Sequence, residues 1–147
     1  MKKLPSDDGW CFEAFLDGDD VVIPSTTATW FGGDNDPDDN GETASGVKTA
    51  GNPDCMGCAL PVVQRCSSTA GSPFSANGKI PWHTPVRIMI GDKSITVPLI
   101  DNGPAKWAQD GIDLTQAAFR CFAPIAQGQL KGVTVRILGA AKHLMHG

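Results

Sequence analysis

From Ser94 the chain alternates: Ile95, Val97 and Leu99 fall on one side, Ser94, Thr96 and Pro98 on the other. That is the period-two pattern of a strand with one face in a core. Val86, Ile88 and Ile90 repeat it over Pro85 to Ile90, and Gly91-Asp92-Lys93-Ser94 between the two runs is turn chemistry. The pair predicts a β-hairpin. Val133, Val135 and Ile137 predict a closing strand, and the β-branched and aromatic Thr26 to Phe31 another. Val21 to Ile23 and Ala59 to Gln64 read as shorter strands, and Trp10 to Leu16 as one helical turn packed on the rest. Past Asp113, the residues Leu114, Ala117, Ala118 and Cys121 share a helical face. Asp113-x-x-Gln116 has the spacing of a capping box at that helix's start. The sum is an all-β domain, a small closed barrel of about six short strands with one short helix.

Two interruptions stand out. Asp101-Asn102-Gly103-Pro104 ends the alternating strand, because Asn and Gly tolerate positive φ and Pro cannot continue a ladder. Gly32 to Pro53 is a long loop rich in Gly, Asp, Asn and Pro, the kind that carries function when it occurs in a compact domain. Within it, Asp36, Asp38 and Asn40, followed by Gly41, match the opening of a calcium-binding loop. Val47 stands where a bidentate Glu closes an EF-hand, so a looser structural calcium site competes with a solvated acidic turn.

Composition narrows the class. At 147 residues, 41% hydrophobic and 19% charged, the chain has enough apolar material for one domain core. A net charge of −4 with scattered basic residues gives no footprint for nucleic acid, and no apolar run reaches the length of a membrane span. Met1-Lys2-Lys3 opens like a signal peptide, but no apolar h-region follows. Cys11, Cys55, Cys58, Cys66 and Cys121 suit either one or two disulfides around a loop or, through Cys55-x-x-Cys58 and Cys66, a zinc site.

Four segments together resemble one family. IDNGP (100–104) with IDLTQAAF (112–119) is similar to the NDRGP…IDLS..AA pattern of rare lipoprotein A (RlpA)-like domains. TATWFGG (27–33) and GETASG (41–46) are similar to that family's ASWYG and TASGE segments, and IPWHTPVRI (80–88) to its LPFGTxVRV strand. The four occur in the family's order. The resemblance implies a six-stranded double-psi β-barrel over residues 26–139, an N-terminal extension over 1–25 packing on it, and a disordered tail over 140–147. More distantly it implies kinship with expansins, family 45 endoglucanases and MltA-type lytic transglycosylases.

Function follows as an expectation from the same resemblance: cleavage of the glycan strand of peptidoglycan, in the manner of a lytic transglycosylase, with no cofactor required. Asp101 matches the aspartate of NDRGP and Asp113 that of the DLS segment, so these two are the acid/base candidates. Each has a bland counterpart, an Asx turn for Asp101 and a helix cap for Asp113. Trp30, Trp82 and Trp107 are candidates for stacking on sugar rings, with Thr43, Asn77 and His83 lining the groove. The chain departs from the family at Asn77, which stands where RlpA-like enzymes carry a His, while His83 stands where they carry Gly. That departure favours an alternative, an expansin-like module that binds polysaccharide without cutting it. A family 45-like β-glucan hydrolase using Asp34 and Asp113 is a third. The expected partner is peptidoglycan or another cell-wall polysaccharide, and the expected setting the cell envelope or outside, with the cytoplasm as the alternative.

Overall fold

The computed structural model describes residues 2–3, 14–33, 41–60, 80–102 and 111–144. Eight strands follow in chain order: β1 (Lys2–Lys3), β2 (Phe15–Asp17), β3 (Asp20–Phe31), β4 (Cys58–Leu60), β5 (Pro85–Ile90), β6 (Lys93–Asn102), β7 (Gly111–Thr115) and β8 (Leu130–Ile137). They form one sheet in the order β1-β2-β3-β7-β4-β6-β5-β8, and β8 also pairs with β3. That last contact closes β3, β7, β4, β6, β5 and β8 into a six-stranded barrel, with β1 and β2 hung on the outside of β3. The chain is therefore an all-β barrel, as the alternation predicts. β3 with β7 and β4 with β6 are parallel, and the other contacts around the ring are antiparallel. Parallel neighbours need crossover connections, which distinguishes this ring from a plain up-and-down barrel.

The barrel interior collects the predicted apolar positions. Val86, Ile88, Val97, Leu99, Val133, Val135 and Ile137 form one buried cluster with Ala28, Cys58, Ile112, Leu114 and Phe119. At roughly 1.5–3 kcal/mol for each large side chain taken from water, this cluster is the main stabilising term. Gly111 is required where β7 meets β3, because a Cβ there would strike the carbonyl oxygen of Thr27.

Several elements differ from the pattern reading, each for a visible reason. Val21 to Ile23 and Thr26 to Phe31 are one strand, bent at exposed Pro24-Ser25 by register shifts against β8. The barrel thus begins at Asp20, ahead of the expected boundary. Phe15-Leu16, expected in a helical turn, is strand, because it pairs with Val21-Val22 across the Gly18-Asp19 turn. β6 runs on through Asp101 and Asn102, since β4 supplies them with ladder partners. Asp113 lies inside β7, and the five-residue helix α1 (Gln116–Arg120) is capped by Thr115, whose Oγ1 accepts from the Ala118 N–H at 3.4 Å. The capping box reading of Asp113 is therefore replaced. The helical face also shifts: Ala118 and Phe119 are buried and Cys121 is exposed. The tail starts with a second short helix, α2 (Ala141–Leu144), anchored by buried Ala140 and Ala141 and by the Ala141 N–H on the Asp19 carbonyl.

Arg136 of β8 ties that region down, pairing with Asp17 at 2.8 Å and Asp20 at 3.0 Å. Hydrogen bonds to Asp17 and then Asp20 raise its pKa. No helix among the described residues is long and apolar enough to cross a membrane.

Candidate functional site

The site is set by register. Ala59 of β4 is the ladder partner of Asp101 on one side and of Asp113 on the other, and Asp113 is in turn the partner of Thr29. Thr29, Asp113, Ala59 and Asp101 thus form one row across β3, β7, β4 and β6. Residues paired in register share a face. For Thr29, Asp113 and Ala59 this is the outer face, because their chain neighbours Ala28, Ile112, Leu114 and Cys58 belong to the interior cluster. At Asp101 the register shift between Cys58 and Ala59 sets Ile100 and Asp101 together against Ala59, and Ile100 packs with Ala59 in the outer cluster. Two strand spacings separate the aspartate backbones, about 9.5 Å. Buried Ala59 lies between them.

Each carboxylate is oriented by a different segment. Asp101 Oδ1 accepts the Ala44 N–H at 3.0 Å. Asp113 Oδ1 accepts the Thr29 hydroxyl. An N–H can only donate, so that Asp101 oxygen is held as an acceptor. A hydroxyl donates or accepts, so Thr29 can remain bonded to Asp113 in either protonation state.

Ala44 belongs to the loop that roofs this face. Glu42 and Lys48 form an isolated bridge, and Thr43 closes the turn between them, its hydroxyl donating to the Val47 carbonyl at 2.6 Å. Ser45 N–H bonds the Ile100 carbonyl at 3.1 Å. Below the loop, Phe31, Ala59 and Ile100 form a second buried cluster, against which Val47 and Cys55 pack.

The same face continues upward into a cavity of about 220 Å³. Phe31 and Thr115, a register pair two residues beyond Thr29 and Asp113, form part of its floor, and Thr49, Asn52, Gln116 and Arg120 are among its walls.

Among the predicted site residues, the structure brings together Asp101, Asp113 and the Thr43 turn. Trp30 lies on the other side of the wall from Asp113. It packs on the interior cluster, and its indole N–H donates to the Ile125 carbonyl at 3.0 Å. Trp82 packs against the same cluster. His83 is exposed, with its N–H on the Leu99 carbonyl at 2.8 Å and a φ of 70°. A left-handed backbone suits the Gly that the family pattern carries there. Asn77, Trp107 and the calcium candidates Asp36, Asp38 and Asn40 lie outside the described residues, as does Asp34.

The cysteine expectations change. Cys58 is buried in the interior cluster while Cys55 packs on the outer one, so the Cys55-x-x-Cys58 spacing does not bring its thiols to one centre. Cys55, Cys58 and Cys121 are free thiols, which gives the expected disulfide no support from these three. Cys11 and Cys66 lie outside the described residues. Burial pushes the Cys58 thiol far up and the Cys55 thiol up.

Sequence reasoning missed Thr29 and Ala59, which carry no chemistry until register places them. Thr115 was legible as an N-cap by residue type, ahead of Gln-Ala-Ala.

No protein-family model and no curated protein matches the chain. Among solved structures it is similar to a Streptomyces papain inhibitor, with 22% identity, a TM-score of 0.52 and coverage of 79% of this chain and 94% of that one. At that identity the likeness speaks for the fold.

Proposed function

We propose that the chain acts on cell-wall glycan, cleaving the glycan strand at the outer face of the barrel with Asp113 as the acid and Asp101 as its companion carboxylate. The observation that carries this reading is the row Asp113–Ala59–Asp101. Two carboxylates stand two strand spacings apart, with one small buried residue between them. Glycoside cleavage uses a carboxyl group to protonate the departing oxygen and, in hydrolases, a second about 6.5–9.5 Å away when water attacks between them. In a lytic transglycosylase the sugar's own hydroxyl attacks and one acid/base group suffices. Asp113 takes the acid role because the Thr29 hydroxyl accommodates both of its protonation states.

Mass spectrometry of products from intact and peptide-stripped peptidoglycan tests this, with wild type, Asp101→Asn and Asp113→Asn side by side. Anhydro-muramyl ends lost in Asp113→Asn are the expected result, and reducing ends would make the protein a hydrolase. Full activity in both variants would sink the assignment.

A non-cutting polysaccharide-binding module is the second reading. It is favoured by the structural work both carboxylates already do, Asp101 in holding the roof loop and Asp113 in joining β7 to β3. Retention on insoluble glycan with no soluble product identifies it. The same preparation is titrated against papain, because stoichiometric inhibition would replace both glycan readings.

A further inference from the structure

We infer that the cavity beside Asp113 is a subsite for a single sugar ring bearing a carboxylate, with Arg120 as the group that recognises the acid. The inference rests on the glycan reading above and names which part of a glycan the face selects.

Position comes first. Thr29 and Asp113 are followed two residues later, on the same face, by Phe31 and Thr115, which line the cavity. Two strand residues span about 7 Å, so the cavity floor begins one sugar-sized step from the Asp113 carboxylate. A group seated there is joined to whatever Asp113 acts on.

Size comes next. About 220 Å³ falls below the roughly 300–1,000 Å³ of pockets that enclose drug-sized ligands, so the cavity takes one ring rather than a run of them. Its floor is made of buried Phe31, Thr49 and Thr115, and Asn52, Pro53 and Arg120 stand exposed at the rim. Apolar and hydroxyl surfaces together suit a pyranose, which has both C–H faces and hydroxyl edges.

Charge decides the substituent. Among the described lining residues there is no carboxylate, and Arg120 is the cation. The Arg120 Nη2 donates to Gln116 Oε1 at 3.0 Å, which steers the guanidinium along the rim, and it has no ion pair among the described residues. Cys55, the other titratable group in the lining, is kept as a neutral thiol by burial. The described lining therefore carries a net positive charge in a chain whose total is −4. A planar guanidinium with donors to spare matches a carboxylate.

The test titrates the full chain, followed by amide and arginine side-chain NMR, with N-acetylmuramic acid, its neutral methyl ester, N-acetylglucosamine and glucuronic acid. N-acetylmuramic acid is expected to move the signals of Thr49, Thr115 and Arg120 and to bind about fivefold more tightly than its ester. Arg120→Gln should erase that difference, and Arg120→Lys should keep part of it. Glucuronic acid binding as tightly as N-acetylmuramic acid would retain the site and assign it to uronic polymers. Equal binding of acid and ester, shifts confined to other residues, or no binding at all would overturn the inference. Failure here is separable from failure of the glycan reading. Cleavage lost in Asp113→Asn but indifferent to Arg120→Gln and to the acid group removes the subsite alone. Selective acid binding without any cleavage leaves the subsite on a binding module.

Discussion

Asp113 and Leu114 are neighbours on β7 and belong to different worlds. Leu114 points into a barrel interior whose strand positions come from alternating runs, each run repeating the same apolar message. Asp113 points to an outer face that is assembled from unrelated segments. There, Asp101 is held by Ala44, Asp113 by Thr29, Thr49 by Gly33, Thr115 by Gly57 and Gln116 by Gly32. The interior is redundant and apolar. The outer face is singular, these polar groups meeting partners far away in the chain. The comparison teaches that stability and candidate chemistry are separated here by the thickness of one strand, so adjacent substitutions should report on different properties.

The sharpest break in that separation is Asp113→Asn. It should lower glycan cleavage by about 10²–10⁴-fold while leaving stability within about 1 kcal/mol, read by product release and by urea unfolding of the same sample. Leu114→Ala, one residue on, should do the reverse. It should cost about 3 kcal/mol, and the molecules that remain folded should keep their specific activity. Equal effects of both variants on stability would show that the two faces are not separable.

Gly111→Ala tests the β3–β7 seam on which the row depends. Forcing a methyl against the Thr27 carbonyl should cost about 2 kcal/mol and, by shifting β7, reduce activity as well. Cys58→Ser carries the comparison to β4. A hydroxyl among Leu60, Leu99 and Leu114 should cost about 1–2 kcal/mol, whereas the same change at exposed Cys121 should be nearly silent in thermal unfolding.

The smallest effect is one of rate. Burial raises the Cys58 and Cys55 thiols, so at a given alkaline pH each holds less thiolate than an ordinary cysteine. Among these three described thiols, Cys121 should react first with a thiol reagent, Cys55 more slowly, and Cys58 only in denaturant. The linkage sign agrees. The native state keeps the Cys58 proton that the unfolded chain releases, so its stabilising contribution is full below the ordinary thiol value and falls as pH rises past it. Urea midpoints across pH 8 to 10 check this, and Cys58→Ala should flatten the slope.

The β5–β6 hairpin, the closing strand β8 and the all-β class were readable from period-two alternation, because a half-buried strand must repeat every second residue. Asp101 and Asp113 could be named through the resemblance, but their local surroundings were misread. A Gly-Pro pair predicted a turn at Asp101, and the three-residue step from Asp113 to Gln116 predicted a cap at Asp113. Both carboxylates lie in strand because β4, only three residues long, inserts between β6 and β7 and offers each a ladder partner.

By itself, then, the sequence determined which residues face the barrel interior and which residue types were available for chemistry, since both are local properties of pattern and side chain. Only the tertiary structure decided that Ala59 lies between the two aspartates, that Trp30 faces away from them, and that Cys55 and Cys58 lie on opposite sides of one wall. Those facts depend on strand order, parallel crossovers and a register shift at Cys58–Ala59, pairings between residues distant in the chain that no local periodicity encodes.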